Sequence, residues 1–443
     1  MKKNRSAIGL LLAAALLWGA VPGARSMEAF KNDKLGLDVY GRGQMFGVGE
    51  VVPDHMRDHA RIYLFLKQAR IGFKGHYEDV KFDTQFAFGG EDANGSNTDL
   101  GLLDFVADVP IKQLDEDTTV KIGQFRIPYS REGLTDRGTM SFGERSIMNL
   151  ASFQSRDYGL ALQRYKGTCA GTIGVFSAGG RDVPQRYLPE RLGSPEVVAR
   201  FGYNDGVDED IYHVVGTDTN LKRTTKAAYL NALYMQDTLI GHSTVLNVRT
   251  TDKNLLIDPN FNPFINAGPG GAAGTATTLQ RGNIYFMGGD AVVRHPFGEG
   301  KAVEGEAEVN YGGYQNRFGV LHIASGRVQG DYQFKPFEIG LRYAALIMDK
   351  NTEYLSNKVN FSPSMGSVIH EVTPSLTWYI KGHGMKIVAD APIYFNMPVF
   401  YDNAVGAYVF ADQPAQVSVI GTKGNGTARR TIPEARMLFQ FMF

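Results

Sequence analysis

The residues with most chemical capacity in this chain are charged, and they crowd one stretch. Arg126, Arg131, Glu132, Asp136, Arg137, Glu144, Arg145, Arg156 and Asp157 all fall between positions 126 and 157. A guanidinium stays charged at physiological pH and offers a planar fork of donors to carboxylate or phosphate. Interleaved carboxylates can pin such arginines or set a field across a gap. That chemistry guides small ions; it does not break bonds. The sequence has no Gly-x-Ser-x-Gly elbow, no HExxH and no EF-hand loop. Its one cysteine, Cys169, excludes an internal disulfide, a Cys-based zinc site and a c-type haem motif. His55 and His59 lie beside Pro53 and Asp54, a loop context poor for a metal. Gly268–Gly274 and Gly421–Gly426 lack the spacing of a phosphate cradle. No cofactor is expected.

These charges need a scaffold, and composition narrows it. The chain has 443 residues, 46 basic and 46 acidic, with 52 glycines and 11% aromatics. Balanced charge excludes a basic nucleic-acid binder. Abundant Gly speaks against a helical protein, because each Gly costs a helix about 1 kcal/mol. Lys2, Lys3 and Arg5 precede an apolar run, Ala7 to Ala20, and Ala24 and Ser26 place small residues before Met27. That pattern is a secretory signal peptide over 1–26. Its removal takes four basic residues and leaves 42 basic against 46 acidic, a net charge of −4. No later stretch reaches the ~18 apolar residues of a spanning helix. An exported chain is then either soluble or a membrane β-barrel.

Period-two alternation is common to a soluble sandwich and a barrel, and the number of alternating segments and the lengths of their connections decide. Val303, Ala307, Val309 and Tyr311 alternate with Glu304, Glu306, Glu308 and Asn310. Leu35, Leu37 and Val39 alternate with Asp38, Tyr40, Arg42 and Gln44. About sixteen such segments occur, near 35–47, 61–77, 79–89, 100–109, 119–127, 156–166, 169–177, 225–236, 239–249, 282–295, 301–313, 327–335, 337–348, 370–382, 384–390 and 433–443. Short connections such as Lys166-Gly167-Thr168 and Gln236-Asp237-Thr238 alternate with long ones, among them 128–155, 178–224, 314–326 and 391–432. An even strand number with short turns on one rim and long loops on the other predicts an all-β, antiparallel, up-and-down transmembrane barrel over 27–443. The last strand ends with Met437, Phe439, Phe441 and Phe443 on one face, resembling the terminal signal of bacterial outer-membrane barrels.

The run Gly123-Gln124-Phe125-Arg126-Ile127-Pro128-Tyr129-Ser130, then Glu132, Glu144-Arg145-Ser146 and Arg156-Asp157-Tyr158-Gly159 resembles the phosphate-selective porin O/P family. Gly41-Arg42 and Ala69-Arg70-Ile71-Gly72 look like further landmarks. The resemblance implies sixteen strands, a homotrimer in the bacterial outer membrane amid lipid and lipopolysaccharide, and passive diffusion of small, often anionic solutes. It implies Arg42 facing the lumen, Arg126 at the basic position before the proline, and Glu132 with Glu144-Arg145 in a constriction loop. Lys67-Gln68 stands where the family's phosphate channels carry an adjacent basic pair, which weakens the case for phosphate.

A sixteen-strand barrel encloses a wide channel unless something narrows it. Loop 128–155, folded inward, is the expected constriction. Arg42, Arg70, Lys74, Lys121, Arg126, Arg131, Arg137, Arg145 and Arg156 form the expected inward basic track, and Glu132, Asp136 and Glu144 oppose it. Part of this set could equally pin the loop to the wall. Glu304, Glu306 and Glu308 share one face, and lipid would be a costly environment for it, so the lumen is their side. They are either a strip favouring cations or, as we prefer, carboxylates paired with neighbours such as Arg294 or Arg342. Two other classes compete with a diffusion porin. One is a sheath around a multihaem cytochrome or similar partner, which would need an empty lumen. The other is an outer-membrane hydrolase, for which no Ser/His/Asp set is found.

Overall fold

The computed structural model describes residues 27–32, 34–52, 59–90, 100–115, 117–152, 156–178, 195–208, 211–212, 222–239, 281–316, 319–348, 368–402, 407–409 and 428–443. The expected signal peptide, Gly268–Gly274 and Gly421–Gly426 lie outside them, as does His55. Among the described residues, no helix is long and apolar enough to cross a membrane.

The chain forms one antiparallel sheet closed on itself. β1 (Met27–Lys31) folds back on the start of β2 (Leu35–Val52). Each later strand then pairs with the one before it. These are β3 (His59–Tyr77), β4 (Val80–Gly90), β5 (Leu100–Pro110), β6 (Thr118–Arg126), β7 (Arg156–Lys166), β8 (Cys169–Phe176) and β9 (Glu196–Asn204). The wall continues through β10 (Thr225–Leu239), β11 (Arg281–Gly298), β12 (Lys301–Asn316), β13 (Gly319–Phe334), β14 (Phe337–Met348) and β15 (Ile369–Lys381). β16 (Met385–Asp390) and β17 (Ile393–Asp402) are two halves of one stave, each pairing with β15 on one side and β19 (Ala428–Met442) on the other. β18 (Ala407–Val409) pairs with β17. β19 returns to β2, with Met442 opposite Arg42, and closes the ring. The wall is a sixteen-strand barrel, as the alternation predicts.

Parity sorts the side chains as alternation requires. On β12 the inward positions Glu304, Glu306, Glu308 and Asn310 are buried, while Val303, Val309 and Tyr311 are exposed on the outer wall. Ile62, Leu64, Phe105, Phe201, Leu230 and Leu341 extend this apolar exterior around the barrel. In lipid such exposure is burial by another solvent, and the closed ladder leaves no backbone edge unpaired. Gly167 (φ 61°) sits in the tight β7–β8 turn, a left-handed conformation that glycine adopts without penalty.

Four expectations about the wall are corrected. The stretch 391–432 is not one loop, because β17 and the start of β19 lie within it. The stretch 178–224 is not one loop, because it contains β9, whose Val197, Phe201 and Tyr203 face outward and Val198, Arg200 and Asn204 inward. Gln236-Asp237-Thr238 is not a turn. β10 runs through it, with a register shift between Met235 and Thr238 that accommodates the extra polar residue. The expected strand 239–249 lies, beyond Leu239, outside the described residues. The long loop expected at 314–326 is also absent, since β12 and β13 are separated by residues 317–318 alone. With β9 counted, the described wall has sixteen strands.

Val309 is 64% exposed at the middle of β12's outer face. Val309→Arg should therefore destabilise the folded barrel by about 2–4 kcal/mol in urea titrations in phospholipid vesicles. An unchanged midpoint would place that face away from lipid.

Candidate functional site: the lumen constriction

The segment after β6 turns into the barrel and stays there. Tyr129 through Thr135 and Met140 through Asn149 are buried. Two short helices, Arg131–Leu134 and Ile147–Ser152, bracket it. Ser130 (φ 68°) caps the first, its Oγ accepting from the Gly133 amide at 3.1 Å. Gly123, in the strand that feeds the loop, could carry no side chain, since a Cβ there would lie 2.0 Å from the Phe105 carbonyl oxygen.

The loop is fastened to nearly every side of the wall. Tyr129 OH donates to Asn310 Oδ1 of β12 at 3.0 Å, and the Glu132 amide to Glu308 Oε2 at 3.1 Å. The Gly143 amide donates to Asp390 Oδ2 of β16 at 2.8 Å, and the Ile147 amide to Glu371 Oε2 of β15 at 2.7 Å. From the wall, Lys386 Nζ donates to Met140 O at 2.6 Å and Gln440 Nε2 to Gly138 O at 2.8 Å. Charged groups supply much of this fastening, because a buried charge persists only when paired and hydrogen-bonded.

Arg131 is the deepest of these. Its guanidinium forks onto Asp208 at 2.7 and 3.1 Å and reaches Asp290 of β11 at 3.1 Å. Arg200 of β9 meets the same Asp290 at 2.6 Å. Asp208 belongs to a turn after β9 that enters the lumen from the opposite rim. There the Asn204 side chain accepts from the amides of Gly206, Val207 and Asp208 at 3.0, 2.9 and 3.3 Å. Tyr212 from the same stretch packs its ring 5.6 Å from Phe125. Loop, turn and wall share an apolar cluster that includes Ile127, Tyr129, Ile147, Val207, Ile211, Phe286 and Val292.

The expected site residues separate into two groups. Arg42 and Arg70 face the lumen directly opposite each other on β2 and β3. Arg42 Nη1 pairs with Asp136, and Arg126 Nη2 lies 3.6 Å from the other oxygen of that carboxylate. Arg156 forks onto Asp104 at 2.7 and 2.8 Å. Lys74 lies further along the Arg70 face, exposed, its Nζ 5.9 Å from the Tyr40 ring. Arg137 is 3.4 Å from Glu144. Of these side chains Lys74, Asp136 at 43%, Arg126 at 17% and Arg137 at 16% exposure meet a remaining aqueous space, while Arg42, Arg70 and Arg156 are buried beside it.

The others are fasteners. Lys121 is buried on Asp108 at 2.8 Å. Arg145 donates to the carbonyls of Glu132, Gly133 and Thr135 at 2.9, 3.1 and 3.1 Å, holding the loop's own curve. Glu132 accepts from the amide and hydroxyl of Ser146 at 2.9 and 2.6 Å. Glu304 takes Arg294 at 2.5 Å, Glu306 takes Arg327 at 2.6 Å, and Glu308 lies 3.5 Å from Arg327. The acidic row is thus inward, buried and paired, with Arg294 among its partners as preferred from the sequence. Arg342 instead pairs with Glu371 at 2.6 Å.

Reading the sequence did not find Arg200, Asp208, Asp290, Arg327 or Glu371, because each is remote from the loop and nothing local marks it. Lys67 was noticed only for lacking a basic neighbour. It is the extra residue of a bulge, since Gln44 faces Gln68 while Met45 faces Leu66. The bulge turns Lys67 inward beside Gln68, onto the Gly143 carbonyl at 2.7 Å and the Glu144 carboxylate, with its ammonium 3.9 Å from the Phe46 ring centre.

Burial would raise the loop carboxyls. Against it, Arg42, Arg126 and Arg70 hold Asp136 well below the usual carboxylate range. Likewise Arg137 and Lys67 outweigh burial and hold Glu144 low. Among the described residues no group of three His, Cys, Asp or Glu side chains is placed to hold a metal.

Comparison with known proteins agrees with this architecture. Residues 53–193 match the family described as phosphate-selective porin O and P. The chain has the fold of the bacterial outer-membrane porins. An anion-selective porin from Comamonas acidovorans superposes with a TM-score of 0.55 at 11% identity, over 93% of this chain and 100% of that one. OmpT of Vibrio cholerae, folded in vitro, gives 0.52 at 8% identity over 94% and 99%. The outer-membrane channel DcaP of Acinetobacter baumannii gives 0.51 at 10% identity over 94% and 100%. At these identities the likeness is one of fold. No curated protein matches the chain by sequence.

Arg131→Ala would leave Asp208 and Asp290 short of a partner, and should cost about 3–5 kcal/mol in reversible unfolding. A loss under 1 kcal/mol would mean the two inward elements are held otherwise. For acid, the sign follows from lowered carboxyls. Their contribution is complete above the unfolded values of about 4 and is lost only as pH falls through the lower folded ones. Neither latch should therefore contribute a midpoint to single-channel conductance between pH 8 and pH 5, and a midpoint in that window that Asp136→Asn or Glu144→Gln removes would exclude that residue as an ionised latch.

Proposed function

We propose that the protein is an outer-membrane porin that passes small hydrophilic solutes passively along the β2–β7 side of its lumen, with a modest preference for anions. The observation that carries this is the unequal exposure of the two sides. Around Asp136, itself at 43% exposure, the cations that meet water are Arg126 at 17% and Arg137 at 16%, with Arg42 buried beneath them at 6%. Arg42, Arg70, Arg126 and Arg156 face Asp104 and Asp136, four positive charges to two negative. On the β9–β15 side the acids are sealed with their arginines, Arg131, Asp208, Arg200 and Asp290 all at 0% exposure. A fixed charge acts on a passing ion only where water and ion reach it. The net charge of −4 is then a poor guide to selectivity, since much of the negative charge is out of contact with the path. The anion-selective Comamonas porin fits the same reading.

The chain works as a channel and not as an enzyme. A lumen filled from both rims supports diffusion over the sheath reading, which needs room for a partner chain. The resemblance stated above supports a homotrimer embedded among outer-membrane lipid and lipopolysaccharide. Two carboxylates among these arginines, and the missing second basic residue at Gln68, favour weak handling of many small anions over tight phosphate binding.

Planar-bilayer recording in a salt gradient tests this. The wild type should give stepwise conductance and a reversal potential on the anion side. Arg126→Ala should move it toward cations, whereas Glu306→Gln should leave it within a few millivolts of wild type. An equal shift from Glu306→Gln would mean that the acidic row lines the path. Arg145→Ala should lower stability before it alters selectivity. Phosphate should block chloride current only weakly, and strong low-concentration block would contradict modest selectivity.

A further inference from the structure

We infer that Asp136 is an internal stand-in for the solute, and that the seat it occupies is built for a small organic carboxylate. This rests on the anion-preferring path proposed above. Arg42 and Arg70 are directly opposed across β2 and β3. Like charges in that register repel unless an anion lies near both. The anion that supplies this is Asp136, reaching in from the loop. One of its oxygens pairs with Arg42 Nη1 and also accepts from the Gly138 amide at 2.6 Å. The other faces Arg126 Nη2 at 3.6 Å, beyond a direct hydrogen bond. Its carboxylate thus bridges two guanidinium groups, as a bound carboxylate solute would.

Three features distinguish this seat from a permanent latch. Asp136 is 43% exposed, although the other loop carboxylates Glu132 and Glu144 are at 3% and 7%. The grip is incomplete, since Arg42 Nε is buried with no hydrogen-bond partner and keeps a donor in reserve. The loop also does not depend on Asp136 for its place, because carbonyls on either side of it are held by Arg126 (2.6 Å to Leu134 O), Arg145 and Gln440. Asp136 can therefore swing off while the loop stays. A solute carboxylate arriving from the mouth would exchange with it, one planar two-oxygen group for another, and Asp136 would recover the arginines as the solute leaves. The strong basic site is thereby kept from trapping its ion.

The test is block of chloride current by succinate in planar bilayers, with folding checked by heat-modifiable gel migration. In Asp136→Asn the half-blocking succinate concentration should fall about tenfold, the competitor having lost its charge-assisted bonds. Asp136→Ser should act the same way and guards against one variant misfolding. Inorganic phosphate, tetrahedral where the seat is planar, should gain less. An unchanged or raised succinate concentration in both variants would overturn the inference while leaving the anion preference of the wild type standing. An equal gain for phosphate would overturn the carboxylate assignment. A wild type without anion preference would remove both.

Discussion

The constriction depends on Arg131 being buried without water. Its guanidinium is held between Asp208, delivered from one rim, and Asp290, standing on β11, and Asp290 in turn holds Arg200. A charge removed from water is tolerated only when its partners are fixed in place, and leaving one unpaired costs several kcal/mol. Arg131 therefore carries the loop to the β9–β11 wall, the one place where its partners stand. Having arrived there, the segment that follows must cross to β15, β16 and β19 before returning to β7. The loop spans the lumen because its first anchor is on the far side.

From that anchor the asymmetry of the lumen follows. The loop, the turn that brings Asp208, and the apolar side chains of Ile127, Ile211, Phe286 and Val292 fill the side around β9–β12. Water is left on the other side, where Asp136, Arg126 and Arg137 retain exposure. The acids of β12 are excluded from it for the reason that fastens the loop: they are the counter-charges of Arg294 and Arg327. Structural ion pairs and selectivity are thus one arrangement. Each carboxylate spent on an arginine in the filled half is withdrawn from the field a solute meets.

Much of the wall was legible from the sequence because a barrel strand repeats one decision at every second residue. Val303 to Asn310 could be read as outward and inward without knowing any partner strand. Reading failed where local chemistry imitates a boundary. Gln236-Asp237 looks like a turn and is a bulge, while Ala199-Arg200-Phe201-Gly202-Tyr203 alternates well but was hidden in a polar stretch taken as loop. The lumen was legible only in type. The crowding of Arg and Glu near 126–157 announced a constriction, yet exposed and sealed residues share the same composition. Arg126 meets water and Arg145 does not, because one sits on the wall at the loop's entry and the other beneath the loop's own carbonyls. That difference depends on Asp208, Glu308 and Glu371, from 63 residues or more beyond Arg145, and local sequence holds no trace of it.

The anion path proposed here raises the question why it should carry so many carboxylates. A row of unopposed guanidinium groups would bind a passing anion tightly, and conduction needs release as much as entry. Asp104 answers for Arg156, whose fork it occupies fully. Asp136 answers for Arg42 and Arg126 less completely, leaving a weaker and more exposed site. Neutralising some arginines completely and others partly grades the attraction along the path, so an anion meets a shallow well and not a deep one.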